Sequence, residues 1–419
     1  MKIVVNRSDA IGDTVLTIPL AQIIKEHYPD AKVYYLISPT TAPLFDGHHF
    51  VDGVITYPKL PFLKTLQYFI NEFRRLEIDH YLYVGGKHLP SLAARLAHIP
   101  FVGGHHNSLK GQLLLKHKHR LHQHRSRVEM HESLYNIKLL DLLGIKTGEI
   151  IEHLHEKIFW PLSLKHQEIL ASIDKAKALV QNCNHHRPAT TALNTVEFLN
   201  HHFQWNDNYI IIHPGMKGHT LNWPSHFYLR LIDFLDEKLS ESNSAIHYIF
   251  SYTQNDQKYI EAIVAHIDPH YTPLLGKVFF LDGEKIGLRS YLGVISKAKL
   301  FIGPSTGTSH LANALGIDLV AIYSPIQVQS PRRWGPFFKK LPKGQRARHK
   351  VIVPTIKCPV RFHCIHNKCE NYPCMEKIRV ETVGLEVLKM LHSEPTLAPT
   401  ATATTTTTAI AAPKDAPLL

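Results

Sequence analysis

Compact apolar runs alternate along this chain with longer stretches whose apolar positions recur every three or four residues. Residues 2–6, 32–37, 53–56 and 80–84 are runs of strand length. Between them, residues 14–28 set Leu16, Leu20, Ile23, Ile24 and His27 at helical spacing, and residues 66–76 and 89–97 repeat that habit. Strand signals weaken over about 150–208, then the alternation resumes. Residues 209–213, 245–251, 278–281, 299–302 and 318–323 read as strands, separated by helices over 226–238, 257–266, 288–297 and 308–315. Strand and helix taking turns in this way predicts parallel βαβ units. The interruption divides them into two Rossmann-like α/β domains facing each other across a cleft. We expect an N-terminal domain over 1–175, a linking region over 176–207, a second domain over 208–394 and a disordered tail over 395–419, where Thr, Ala and Pro replace core-forming residues.

A length of 419 residues exceeds what one core usually organises, and an apolar fraction of 44% is enough for two. No apolar run approaches the roughly 18 residues of a membrane span, and Met1-Lys2 leads into a strand rather than a signal peptide. Both features point to the cytoplasm. A formal charge of +12, with 31 histidines besides, favours anionic partners such as nucleotide phosphates, acidic saccharides or a membrane face. The basic residues concentrate in 105–110 and 116–127, where aromatics are not interleaved as base stacking would require, so nucleic acid is disfavoured. That stretch, with Lys116 and Arg120, is either a surface for an anionic lipid or saccharide or simply a solvated face. Four of the five cysteines cluster at Cys358, Cys364, Cys369 and Cys374, but their gaps are wider than paired C-x-x-C spacing, and we assign them no metal.

Three loops carry candidate chemistry. The run Gly303-Pro304-Ser305-Thr306-Gly307-Thr308-Ser309-His310 joins an apolar strand to a helix through small residues. Its glycines allow close backbone approach and the helix start offers unpaired N–H groups, which suits a diphosphate as well as an ordinary capped turn. The loop His213-Pro214-Gly215-Met216-Lys217 through Asn222-Trp223-Pro224 has the same strand-to-helix setting. In the first half, Arg7-Ser8-Asp9-Ala10-Ile11-Gly12-Asp13 directly follows the opening strand, with Asp13 either a carboxylate facing the cleft or a helix N-cap. Gly303 through Gly307 also fits the G-x-S-x-G nucleophile elbow, which would make Ser305 an esterase nucleophile with Asp318 and His349, His363 or His366 as triad partners. A nucleotide-sugar binder without catalysis is a third class.

Taken together, the opening Arg7 through Pro19, the loop His213-Pro214-Gly215 through Trp223-Pro224, and Gly303 through His310-Leu311-Ala312 resemble the bacterial ADP-heptose:lipopolysaccharide heptosyltransferase family, in order and in separation. The resemblance extends to about Leu391. It implies a B-type glycosyltransferase fold that inverts the anomeric centre without a metal or other cofactor, in keeping with the absence of any Asp-x-Asp triplet. It further implies that Asp13 is the general base and that the donor diphosphate lies against Thr306 and Gly307, with Ser305, His310, Gly215 and Lys217 nearby. Three departures stand out. Leu221 occupies the position two before Trp-Pro where known members carry Lys, so Lys217 or Arg7 becomes the candidate cation. Ser305 replaces an Asp expected near the donor sugar, and Asp256 is the candidate for the ribose hydroxyls. The implied partners are an ADP-sugar and a lipopolysaccharide core acceptor met at the cytoplasmic face of the inner membrane, with Arg7, Lys116 and Arg120 on the acceptor side.

Overall fold

The computed structural model describes residues 1–106, 109–181, 192–216, 218, 221–240, 245–267, 274–342 and 347–392. The expected tail and part of the expected linking region lie outside the described residues. The N-terminal half runs β1 (Lys2–Arg7), α1 (Ile11–Val15), α2 (Pro19–His27), β2 (Lys32–Ile37), β3 (Gly53–Thr56), α3 (Phe62–Arg75), β4 (His80–Gly85), α4 (Leu89–Leu96), β5 (Phe101–His106), α5 (Leu109–Leu114), β6 (Arg120–His122), α6 (Glu132–Lys138) and α7 (Thr147–Glu152). Helices α8 (His166–Gln181) and α9 (Ala192–His202) follow. The C-terminal half runs β7 (Tyr209–Ile212), α10 (Ser225–Leu239), β8 (His247–Tyr252), α11 (Gln257–Val264), β9 (Val278–Asp282), α12 (Gly283–Ile286), α13 (Leu288–Ile295), β10 (Leu300–Pro304), α14 (Gly307–Ala314), β11 (Leu319–Ile322), α15 (Pro331–Trp334), β12 (His349–Ile352) and α16 (Val380–His392).

The strands form two six-stranded parallel sheets, ordered β3-β2-β1-β4-β5-β6 and β12-β11-β10-β7-β8-β9. Read from its own first strand, each sheet has the doubly wound order 3-2-1-4-5-6. The direction of winding reverses between β1 and β4 in one and between β7 and β10 in the other, and crevices open at those points beyond the strands' carboxyl ends. Both faces of each sheet are covered, which explains the nearly continuous apolar strands. Along β1, Ile3 and Val5 join one core while Val4 joins another; along β7, Tyr209 and Ile211 face one way and Ile210 and Ile212 the other. Buried residues from one face of each sheet belong to one continuous apolar cluster that also includes Phe159, Ile173 and Phe337.

Several differences from the sequence pattern have clear causes. The single helix expected over 14–28 is two, because Pro19 has no N–H to continue α1 and instead opens α2. Strands β5, β6 and β12 and helix α16 were not foreseen. Strand β5 reads FVGGHH, and its glycines and histidines mask a buried inner strand. Helix α8 docks on α13 of the second half, where Glu168 pairs with Arg289 at 2.9 Å and Lys175 Nζ donates to the Ile286 carbonyl at 2.6 Å. Among the described residues no helix is long and apolar enough to cross a membrane.

Candidate active site

The two halves meet most closely where α1 and α14 face each other. A Cβ on Gly12 would lie 3.0 Å from His310 Cδ2 and 3.3 Å from Gly307 Cα, so only bare backbone fits between the helices. On one side of this contact is a cavity of about 400 Å³ lined by Gly12 and Asp13 from the first half and by Ser305, Thr306, Gly307, His310, Gln329 and Arg333 from the second. On the other side a cavity of about 680 Å³ is lined by His213, Tyr252, Thr253, Asn255, Tyr291 and Thr308, among others, and by Asp9, Ala10 and Ile11 across from them. The Thr308 hydroxyl is buried without a partner among the described residues.

Asp13 is not the helix cap. The N-cap of α1 is Ala10, without a side-chain cap bond, and Asp13 stands in the first turn with its carboxylate 22% exposed to the cleft. The Arg7 guanidinium fixes it: Nη2 donates to Asp13 Oδ1, Nε to Asp9 Oδ1 at 2.9 Å, and Nη1 to the Val84 carbonyl at 3.3 Å. Burial alone would weaken the charge on Arg7, but Asp13, Asp9 and Glu132 outweigh it and hold its pKa above the ordinary arginine value. Arg7 is therefore spent on orienting carboxylates and, at 5% exposure, does not reach out to an acceptor or a phosphate. Burial, reinforced by Asp13 and opposed by Arg7, pushes the Asp9 carboxyl up to about 6.

Beneath Arg7 lies a residue that the sequence pattern did not single out. Glu132, at the start of α6, is 1% exposed; Oε1 accepts from Arg125 Nη1 at 2.5 Å and lies 3.7 Å from Arg7 Nη1, and Oε2 accepts from Arg333 Nε at 3.0 Å. Burial would raise its pKa, yet Arg125, Arg7 and Arg333 overcome that and hold it at about 2. Arg333 belongs to the second half, so this carboxylate ties the domains together. Around it, Arg332 Nη2 donates to the Glu129 carbonyl at 2.9 Å, His131 Nε2 to the Gly335 carbonyl at 2.9 Å, and Arg361 Nη2 to the Ser126 carbonyl at 2.6 Å. Arg125 comes from the basic run, which is thus partly a buried ion cluster rather than wholly a surface. Two of the three arginines around this carboxylate, Arg7 and Arg333, are distant in sequence, so no local pattern reveals the group.

The remaining expected site residues divide. Ser305 lines the smaller cavity, and His310 is buried beside Gly12 with its pKa pushed down to about 3 by desolvation, so it is neutral. Asp256 is buried behind Thr253 and His213 of the larger cavity's wall: Oδ2 accepts from Thr253 N at 3.1 Å and Thr253 Oγ1 at 2.7 Å in a capping box. A Cβ on Gly215 would come within 2.4 Å of Asp256 Oδ1, so that glycine makes room for the carboxylate. Leu221 packs on the apolar core of the second half. Lys217 lies outside the described residues. Lys116 Nζ donates to the carbonyls of Ile99, at 3.0 Å, and Pro100, and Arg120 to that of Leu115, at 2.8 Å through Nη2; neither lines the cleft cavities. Cys358, Cys364, Cys369 and Cys374 are free thiols, and Cys374 is pushed up by burial and by the other three.

The esterase alternative fails on topology. Ser305 follows β10 at the carboxyl edge of the sheet, while Asp318 precedes the parallel β11 at the opposite edge and is bound to Arg348 Nε at 2.9 Å. No triad can span a strand's length.

The family description Glycosyltransferase family 9 (heptosyltransferase) matches residues 160–350. The fold is similar to that of E. coli ADP-heptose lps heptosyltransferase II, with a TM-score of 0.66 and 19% identity, covering 93% of this chain and 98% of that one. It is also similar to the family 9 glycosyltransferase of Veillonella parvula, with a TM-score of 0.64, 15% identity and coverage of 93% and 97%. E. coli heptosyltransferase WaaC, whose structure holds ADP, matches with a TM-score of 0.56, 15% identity and coverage of 93% and 100%. A Haemophilus influenzae protein with the provisional name of a glycosyltransferase is 23% identical over 345 residues, 80% of this chain and 86% of its own length. These findings bear out the resemblance carried by the three motifs, and with it the two-Rossmann fold of B-type glycosyltransferases.

Proposed function

We propose that this heptosyltransferase-like chain transfers a heptose, or a related sugar, from an ADP-linked donor to a lipopolysaccharide core acceptor, with inversion and without a metal. The observation that carries the reading is that Asp13 and the Thr306-Gly307 turn, from opposite domains, line one cavity. The acceptor hydroxyl gives its proton to the Asp13 carboxylate while its oxygen attacks the anomeric carbon. The bond from that carbon to the diphosphate oxygen breaks, and the electron pair leaves with the nucleoside diphosphate. Attack opposite the leaving group inverts the centre. The charge that develops on the diphosphate falls at the N-terminus of α14, where free N–H groups and the helix dipole favour it. Neutral His310 walls the cavity without competing for the proton. The larger cavity beyond the Gly12–Gly307 contact is of a size to take the nucleoside. An acceptor borne on a lipid would bring the enzyme to the inner face of the membrane.

Calorimetry against ADP, UDP, GDP and CMP, with and without magnesium, tests the donor class. Selective, magnesium-independent ADP binding is the expected result, and preference for another nucleotide discards the ADP-sugar. Asp13→Asn should keep nucleotide affinity and lower kcat by about 10²- to 10⁴-fold, the usual worth of a general base; a variant with undiminished kcat removes Asp13 from that role.

A further inference from the structure

We propose that Arg333 is the cation that neutralises the departing diphosphate, and that the buried Glu132 orients it from the other domain. The inference rests on the transferase reading above. Arg333 lines the same cavity as Asp13, Thr306 and Gly307. Its Nε is bound to Glu132 at 3.0 Å, and among the described residues nothing hydrogen-bonds its two terminal amino groups. The planar fork thus keeps one edge anchored and the other free for a bidentate phosphate contact. The backbone is held as well: the guanidinium lies 4.7 Å over the Trp334 ring, Trp334 Nε1 donates to the Val328 carbonyl at 2.9 Å, and Tyr323 donates to the Trp334 carbonyl at 2.5 Å. Among the described residues, Arg7 is committed to carboxylates and the position of Leu221 offers no charge.

Charge balance favours the same assignment. Arg7, Arg125 and Arg333 face Glu132, Asp9 and Asp13 in one connected group. When Asp13 accepts the acceptor's proton, that group becomes more positive by one unit. The diphosphate becomes more negative by one unit in the same step, so the attraction grows as the bond breaks.

The test is titration of wild type, Arg333→Gln, Arg333→Lys and Glu132→Gln with ADP and with AMP, together with steady-state transfer rates. In Arg333→Gln, ADP affinity should fall about 10- to 100-fold while AMP affinity barely changes, the scale of a lost charge-assisted hydrogen bond. Arg333→Lys should restore part of it. Glu132→Gln, which leaves Arg333 charged but unaimed, should lower kcat more than ADP affinity. Equal loss for ADP and AMP, or no loss for either, overturns the proposal, and because the ratio is read within one protein a folding defect does not mimic the expected result. Failure of wild type to bind any nucleoside diphosphate would sink the transferase reading itself; binding by wild type with an unchanged ratio in Arg333→Gln sinks only the role of Arg333.

Discussion

Replacing Glu132 by Gln removes one negative charge from among three guanidiniums at a site that water does not reach. The native carboxyl titrates at about 2 against an ordinary value of 4.5. At about 1.4 kcal/mol per pH unit, that difference is worth roughly 3 kcal/mol of stability at neutral pH, within the range measured when one partner of a buried ion pair is removed. The sign follows from the depressed native value. The contribution is complete above pH 4.5 and is lost as pH falls toward 2, because the unfolded chain takes up the proton first. A protonated Glu is nearly isosteric with Gln, so the variant mimics the acid form at every pH. Urea unfolding of both proteins from pH 6 to pH 3 should give a gap of about 3 kcal/mol at the upper end that shrinks to less than half at the lower. Groups other than Glu132 titrate in both proteins and cancel. A gap independent of pH, or no gap at pH 6, would refute the reasoning.

Further expectations concern the cleft. Gly12→Val adds atoms between α1 and α14 where even a Cβ is 3.0 Å from His310, and overpacking of this kind costs about 1–3 kcal/mol; kcat should fall sharply with a modest loss of melting temperature, and unchanged kcat would contradict the close contact. Ser305→Ala should retain transfer, since no triad surrounds it, whereas complete loss would restore the nucleophile reading. Lys118→Ala with Arg127→Ala, both exposed in the basic run, should raise the acceptor KM more than the donor KM, and an unchanged acceptor KM would detach that surface from acceptor binding.

The sheets were legible in the sequence because parallel strands buried on both faces must be apolar runs, and β1, β2, β7 and β10 are such runs. Two edge strands escaped: β6 has no fully buried residue and β12 has only Ile352. The two loops whose residues line the smaller cavity were legible as loops because each follows a strand of strong signal, β1 and β10. Asp256 takes part in a capping box after β8, a use that an acidic residue at that position does not announce in the sequence. Glu132 and Arg333 lie 201 residues apart and meet only in the folded cleft, so no spacing rule finds them.

The apolar core that runs beneath both sheets has a consequence for how the molecule comes apart. Tyr209, Ile211 and Phe301 from one sheet belong to the same continuous apolar cluster as Ile3, Val5 and Val33 from the other, joined through helices that pack across the halves, α1 on α14 and α8 on α13. Unfolding of either half removes part of the other's stabilisation. Cooperativity therefore extends across the cleft, and heat should disperse the two domains in a single calorimetric transition rather than in the separate steps that two Rossmann units joined only by a linker would give.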